Sequence, residues 1–187
     1  MKFIIEHLEK ELYNWCLIEY KNISKFIGKD NLIITNIKTK DIKKLKNLCR
    51  VETKSIKNLN LKNSCLLDPA AKKELTSKDK KFDDFIFGGI LGDYPQQNRT
   101  SKILNLKIEK RNLTKHQMPT DTAVIVAKLV LDGNKLSGLK FKDKLQIEIK
   151  KGKYLEVVEL PYRYLVLNNK PTISKQLVKY IKAKEEI

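Results

Sequence analysis

Apolar positions in the first part of the chain alternate between two spacings. Residues 2–6 (KFIIE) read as a short strand, and Leu8, Leu12, Trp15, Cys16, Ile23, Phe26 and Ile27 then recur at helical spacing. Gly28 is placed to end that helix. Residues 31–37 (NLIITNI) form a buried-type strand, and residues 41–48 a helix with Ile42, Leu45 and Leu48 on one face. This strand-helix-strand-helix order predicts an α/β fold with a parallel sheet.

The pattern continues with a short apolar strand at residues 64–68 (SCLLD), after which Asp68-Pro69 supplies a helix cap with proline at the first helical position. A brief helix through Leu75 is expected to follow. Residues 82–87 (FDDFIF) form the next strand and run into Gly88-Gly89. Strand ends that meet glycine loops are where open α/β sheets hold ligands. After Gln97 a short helix through Leu104 and a strand near residues 106–113 are expected. Pro119-Thr120-Asp121 then opens a helix over residues 122–131, apolar on nearly every side and therefore interior. Asp132-Gly133 terminates it.

Beyond that point the period is two. Residues 145–149 (LQIEI) and 154–159 (YLEVVE) alternate around a glycine-bearing turn, which predicts a hairpin. A third extended segment follows Pro161 at residues 162–167, and residues 174–184 close the chain as a helix. With no repeat, low-complexity tract or long linker, the expected organisation is a main domain at residues 1–144 and a β-rich extension at residues 145–187 packed on it.

Composition narrows the class. A chain of 187 residues, 41% hydrophobic and 33% charged, fits one globular domain burying roughly 70% of its unfolded surface. Cys16, Cys49 and Cys65 are odd in number and form no CxxC pair, which points away from disulfides and structural zinc and suits a reducing cytoplasm. No apolar run approaches the roughly 20 residues that span a bilayer, so no membrane partner is expected. The net charge of +17 favours a polyanionic partner, although a lysine-, asparagine- and isoleucine-rich proteome would produce the same excess. Arginine is scarce, at Arg50, Arg99, Arg111 and Arg163, and only arginine offers a planar fork for carboxylate or phosphate. Arg99 and Arg111 lie just after the glycine cluster.

That cluster, Gly88-Gly89-Ile90-Leu91-Gly92-Asp93-Tyr94-Pro95, holds three of the seven glycines. It implies positive φ or close approach of backbone to a ligand, or else a tight turn against a helix. Neither a dinucleotide fingerprint nor a P-loop fits it. Asp93 is a candidate hydrogen-bond acceptor or base and equally a turn former; Asp121 is a candidate of the same kind and equally a helix cap. His7 and His116 are too isolated for a metal site, and no nucleophile elbow is present.

Phe3 to His7, Leu17 to Tyr20, Leu66 to Pro69, the segment FGGILGDYP with Arg99-Thr100, and RNLTKHQMPTDTA from Arg111 to Ala123 together resemble a small subfamily of SPOUT methyltransferases. Its archaeal members are described as predicted RNA methyltransferases using S-adenosyl-L-methionine (SAM), and its fungal members as protein arginine methyltransferases acting on a small-subunit ribosomal protein. The resemblance covers nearly the whole chain. It departs at Gln96-Gln97-Asn98, where close relatives often carry a second proline or a basic residue.

The resemblance implies a Rossmann-like parallel sheet whose C-terminal part is threaded as a deep trefoil knot, with SAM bent into the knot loops. On this mapping the cofactor meets Leu67, Asp68, Phe87, Gly88, Gly89, Gly92, Leu113, Gln117, Met118, Thr122 and Ala123. Transfer to an arginine would use a carboxylate to hold the guanidinium and take its proton, with Asp93 and Asp121 the nearest candidates and Glu19 a third. Transfer to RNA would use Arg99 and Lys102 to clamp phosphate. The implied substrate is arginine of a ribosomal protein, with RNA methylation second and a non-catalytic RNA- or ribosome-binding role third. SPOUT enzymes mostly dimerise through the knot; here the extension is expected to cover that surface and leave a monomer. A homodimer would instead let Arg163 reach the partner's cofactor loop.

Overall fold

The computed structural model describes residues 1–89, 108–151 and 154–185. Six strands, β1 (Lys2–His7), β2 (Leu32–Thr35), β3 (Arg50–Val51), β4 (Ser64–Leu67), β5 (Asp84–Gly89) and β6 (Glu109–Arg111), form one sheet in the order β3-β2-β1-β5-β4-β6. Every pairing in it is parallel. The helices are α1 (Asn14–Ile27), the single turn α2 (Ile42–Leu45), α3 (Thr120–Leu131) and α4 (Lys175–Glu185). The expected parallel α/β sheet is therefore the one observed. The expected knot depends on the path of residues 90–107, which lie outside the described residues, as does the helix expected after Gln97.

Alternation along the strands assigns the two faces. Phe3, Ile5, Cys65, Leu67, Phe85 and Phe87 belong to one large core with residues of α1 and α3, whereas Ile4, Leu66 and Ile86 pack with Ile56 in a smaller cluster. Helix α1 turns Cys16, Glu19, Tyr20, Ile23 and Ile27 inward and stops where Gly28 takes φ 85°. Helix α3 is interior as its sequence requires, with nine of its twelve residues buried.

Four local expectations are corrected. Residues 8–13 do not join α1, because Lys38 Nζ takes the Lys10 carbonyl at 2.8 Å and the Glu11 carboxylate at 2.6 Å. No helix follows Asp68-Pro69. Asp68 accepts from the Ala70 amide at 2.9 Å in a tight turn, and the Asn112 side chain donates to the Ala71 and Lys73 carbonyls, which a helix would need for itself. The helix expected over residues 41–48 is reduced to α2 after a 3-10 turn. The hairpin is longer than expected, with β7 (Lys140–Lys151) paired antiparallel to β8 (Tyr154–Leu167), and β8 runs through Pro161 unbroken. A bulge explains this last point: Pro161 and Tyr162 together oppose Lys144, whose φ is 61°, so proline occupies a place without a ladder bond. A two-residue turn at Asn168 and Asn169, both at positive φ, adds β9 (Lys170–Pro171). Helix α4 lies on α1 and β7, and β8 touches α3.

Arg111 is a tie, not a fork for an incoming anion. Its Nε donates to Asp79 Oδ1 and its Nη1 to Glu109 Oε2, both at 2.9 Å, while the guanidinium lies over the Phe82 ring. Asp79 itself closes a capping box with Thr76. Arg163 is likewise engaged, holding both carboxylate oxygens of Asp143 at 2.6 and 2.7 Å. All three cysteines are free and buried, and burial pushes each thiol up to about 12. The Arg111→Met variant leaves Asp79 buried without its cation and is expected to lose about 3 kcal/mol. Urea unfolding followed by circular dichroism checks this.

Candidate active site

The strand order concentrates loop ends at one place. After β1 the chain moves outward to β2, whereas after β5 the next described strand, β6, lies on the far side of β4. Connections leaving neighbouring strands in opposite directions open a crevice at their carboxyl ends, the usual ligand position in such sheets. Gly88 and Gly89 stand at that edge, in register with Glu6 and His7 of β1. Glu6 is consumed structurally, accepting from the Ser55 hydroxyl at 2.6 Å, from the Ile56 amide at 3.0 Å and from Thr35. His7 shares a 2.8 Å hydrogen bond with the Tyr20 hydroxyl, and burial lowers its pKa, which keeps it neutral.

Beside this edge lies an open cleft of about 960 Å³, lined among others by Pro69, Ala70, Leu113, Thr114, Leu136, Phe141 and Arg163. It joins the turn after β4 to the turn after β6. Its lining is half polar, with Lys72, Glu74, Asn112, Lys115 and Ser137 besides Thr114 and Arg163.

Helix α3 begins next to it. The residue capping the helix is Pro119, without a side-chain bond, so Asp121 sits inside the first turn and is not the cap. Its Oδ2 accepts from Asn22 Nδ2 of α1 at 2.8 Å and its Oδ1 from the Thr122 amide at 2.6 Å. Only 2% of Asp121 is exposed, and burial raises its pKa against the pull of those donors. One turn before Asn22 on α1, Glu19 is also 2% exposed, and its Oε2 has no hydrogen-bond partner among the described residues. Burial drives its pKa well up, with the Asp121 charge adding to the effect. Tyr164 of β8 completes the group, its hydroxyl pushed up first by burial and then by the two carboxylates. Gln117, whose backbone carbonyl accepts the Arg163 backbone N–H at 2.9 Å, has a buried Oε1 that finds no partner among the described residues.

The other anticipated residues are placed as follows. Leu67, Asp68, Leu113 and Thr122 are buried at or just beyond strand and helix ends, while Gly88, Gln117, Met118 and Ala123 are half-buried there. The Phe87 side chain is in the core, stacked 6.2 Å from Phe3, so that residue offers the site its backbone. Gly92, Asp93, Gln96 to Asn98, Arg99 and Lys102 lie outside the described residues. Among the described residues no group of His, Cys, Asp and Glu is arranged to hold a metal ion. Asn22 and Tyr164 escaped the sequence reading. A carboxylate in the inward phase of an amphipathic helix was the available signal for Glu19.

A family model described as protein arginine N-methyltransferase SFM1-like matches residues 2–186. The chain belongs to this family. The SFM1-like assignment agrees with a relative named protein arginine N-methyltransferase SFM1 from Saccharomyces cerevisiae, 37% identical over 97% of this chain and 94% of that protein. The crystal structure of the yeast enzyme complexed with SAM superposes with a TM-score of 0.86 at 35% identity, over 98% of this chain and 90% of that one. A dual specific Trm10 from Thermococcus kodakaraensis shares the fold, with a TM-score of 0.55 at 16% identity over 73% of this chain and 95% of that one.

The Asn22 bond holds Asp121 in its ionised form, so its removal should matter most where the carboxylate is charged. Asn22→Ala is expected to cost about 2 kcal/mol at pH 8 and progressively less as the pH falls and Asp121 takes up its proton. Urea midpoints across that pH range measure the difference.

Proposed function

We propose that this chain is a cytoplasmic, SAM-dependent protein arginine methyltransferase whose substrate is an arginine of a ribosomal protein. The observation that carries the arginine reading is the concentration of buried acceptors at the start of α3, where Asp121 and Glu19 are both withdrawn from water and no described cation lies against Glu19. Such a place repels phosphate and suits a guanidinium, whose five donors lie in one plane.

The residues at the strand ends fit SAM. The cleft is large enough for a nucleoside, Leu113 provides buried apolar surface in it, Leu67 ends the neighbouring strand, and Gly88 and Gly89 would let a backbone approach. Asp68 and Gln117 would offer acceptors to the cofactor, and Met118, Thr122 and Ala123 would hold its methionine end. The chemistry supplied by SAM when bound is an electrophilic methyl group, which a guanidino nitrogen attacks as the carbon–sulfur bond breaks and its electron pair stays on sulfur. The protein's part is position and a proton acceptor. The new N-methylguanidinium must shed one N–H proton, and Asp121, with its pKa raised by burial, is a better acceptor than an exposed carboxylate. Asp93 and Arg99 keep their proposed roles beside it, one as a second carboxylate and the other as an anion clamp.

The setting is argued from the same features. Among the described residues no helix is long and apolar enough to cross a membrane. The free cysteines suit a reducing compartment, and the charge of +17 suits a ribosomal partner surrounded by RNA. With α4 seated on α1 and β7, we read the protein as a monomer that carries its whole site.

Incubation with methyl-labelled SAM and extract from the source organism should give label that protease removes and ribonuclease spares. Ribonuclease-sensitive label would make RNA the substrate. Gly89→Val is expected to abolish SAM binding in calorimetry without unfolding the protein, and retained affinity would confine the glycines to packing. Light scattering at micromolar concentration should give a mass near 21.8 kDa, where twice that value would reject the monomer.

A further inference from the structure

Lysine is abundant throughout this chain, but acids are not distributed with it. Over much of the surface each cation has a carboxylate beside it: Lys38 and Lys40 meet Glu11, Lys44 meets Asp41, Arg50 meets Glu52 and Lys128 meets Asp132. The outer sides of α1 and α4 differ. Between Glu159 and Glu185 the sequence has five lysines, Arg163 and no acid, and between Glu19, which is buried, and Asp30 it has three lysines and no acid. Lys21 and Lys25 are exposed on α1, and Lys175, Lys179 and Lys182 on α4, spaced three or four residues apart so that each set lines one side of its helix. Among the described residues none of the five is in an ion pair. Helix α4 lies on α1, so the two stripes belong to neighbouring helices.

Folding gains nothing from this arrangement. Like charges four residues apart, at Lys21 and Lys25 and again at Lys175 and Lys179, oppose the helix, and Lys175 stands in the first turn of α4, where the macrodipole favours an acid and none is present. A lysine-rich proteome raises the number of lysines; it does not remove the acids between them. A run of negative charge along both helices would offset the repulsion, as a phosphate backbone does. Exposed aromatic side chains stand at both ends of α1, Tyr13 stacked on Trp15 at 6.0 Å and Phe26 next to Lys25. Aromatic faces among lysines are the usual means of holding unpaired bases. An anionic lipid surface fits less well, because Leu177, Val178 and Ile181, the apolar side of α4, are half-buried and not presented outward. We infer that the outer side of α1 and α4 is a docking face for RNA with unpaired bases. It would seat the enzyme on a ribonucleoprotein, while Asn22 of the same α1 holds Asp121 at the site. This partner is additional to the reading above and holds whichever macromolecule receives the methyl group.

Fluorescence anisotropy of the full chain with a labelled oligouridine of about 20 nucleotides tests this. The wild type should bind, with an affinity that falls steeply as salt is added. The face variant, carrying Lys21→Gln, Lys25→Gln, Lys175→Gln, Lys179→Gln and Lys182→Gln together, should bind about 10-fold more weakly or worse at low salt. Its log-log salt slope should be shallower by about 3, from about 0.7 for each phosphate contact on a single strand. A control variant removes five charges from lysines beside Asp41, Glu52 and Asp79, through Lys43→Gln, Lys46→Gln, Lys54→Gln, Lys78→Gln and Lys80→Gln. It changes the net charge equally and should alter the affinity less than about 2-fold. The face variant should keep the SAM affinity of the wild type in calorimetry and melt no lower, since it loses only like-charge neighbours. The inference is overturned if the face variant binds RNA as tightly as the wild type, if the control variant loses as much, or if the wild type binds phosphatidylserine vesicles in preference to the RNA. Ribonuclease-sensitive label in the extract experiment would reject the arginine substrate and leave this comparison to decide the docking face.

Discussion

The position of β5 is the constraint from which the rest of the structure follows. This strand lies between β1 and β4, paired on both edges and covered on both faces, with Phe85 and Phe87 on the α1 and α3 side and Ile86 on the other. A strand so enclosed has no freedom of register, because a one-residue slip would exchange its two apolar faces. Its end is therefore held in one place, and that end is Gly88-Gly89. The turns after β4 and β6 are set on one side of it and the buried end of β1 on the other. Three loops distant in sequence meet because one strand is inserted in the middle of the sheet.

Against this stable frame, the start of α3 is a region that folding alone does not favour. Two carboxylates are withdrawn from water with fewer donors than they can use, and two buried side-chain oxygens are left without partners. Elsewhere the same chain pairs its buried charges: Asp79 with Arg111, and Glu6 with Thr35, Ser55 and an amide. The contrast separates buried charges that the fold itself satisfies from those it leaves with unmet hydrogen-bonding capacity. Unpaired burial at a strand-end cleft is a cost that natural proteins retain where binding or catalysis requires it.

The C-terminal extension enters the site as well as covering the sheet layer. Through the bulge at Lys144 and Pro161, β8 changes its pairing and brings Arg163 against the segment before α3, where its backbone N–H holds the Gln117 carbonyl, while the charges of Asp121 and Glu19 add to the burial that raises the Tyr164 pKa. An appended hairpin is thereby part of the wall of the site.

Sequence alone determined the elements whose periodicity is strong. The parallel α/β class, the strand at β5 with its terminal glycines, the interior helix α3 and the closing helix were all legible, since burial on a sheet or within a core demands one apolar period and tolerates no other. Motif resemblance carried the family. Tertiary structure decided what depends on partners far along the chain. Residues 69–75 stay out of a helix because Asn112 takes their carbonyls, and Arg111 is a core tie because Asp79 folds against it. Asp121 could be read as a cap or as a chemical group until Asn22 and Glu19 of α1 were set beside it. Hydrogen-bond partners and loss of solvent are properties of the packed chain, so the environment that distinguishes an inert carboxylate from a reactive one arises only when α1, α3 and β8 come together.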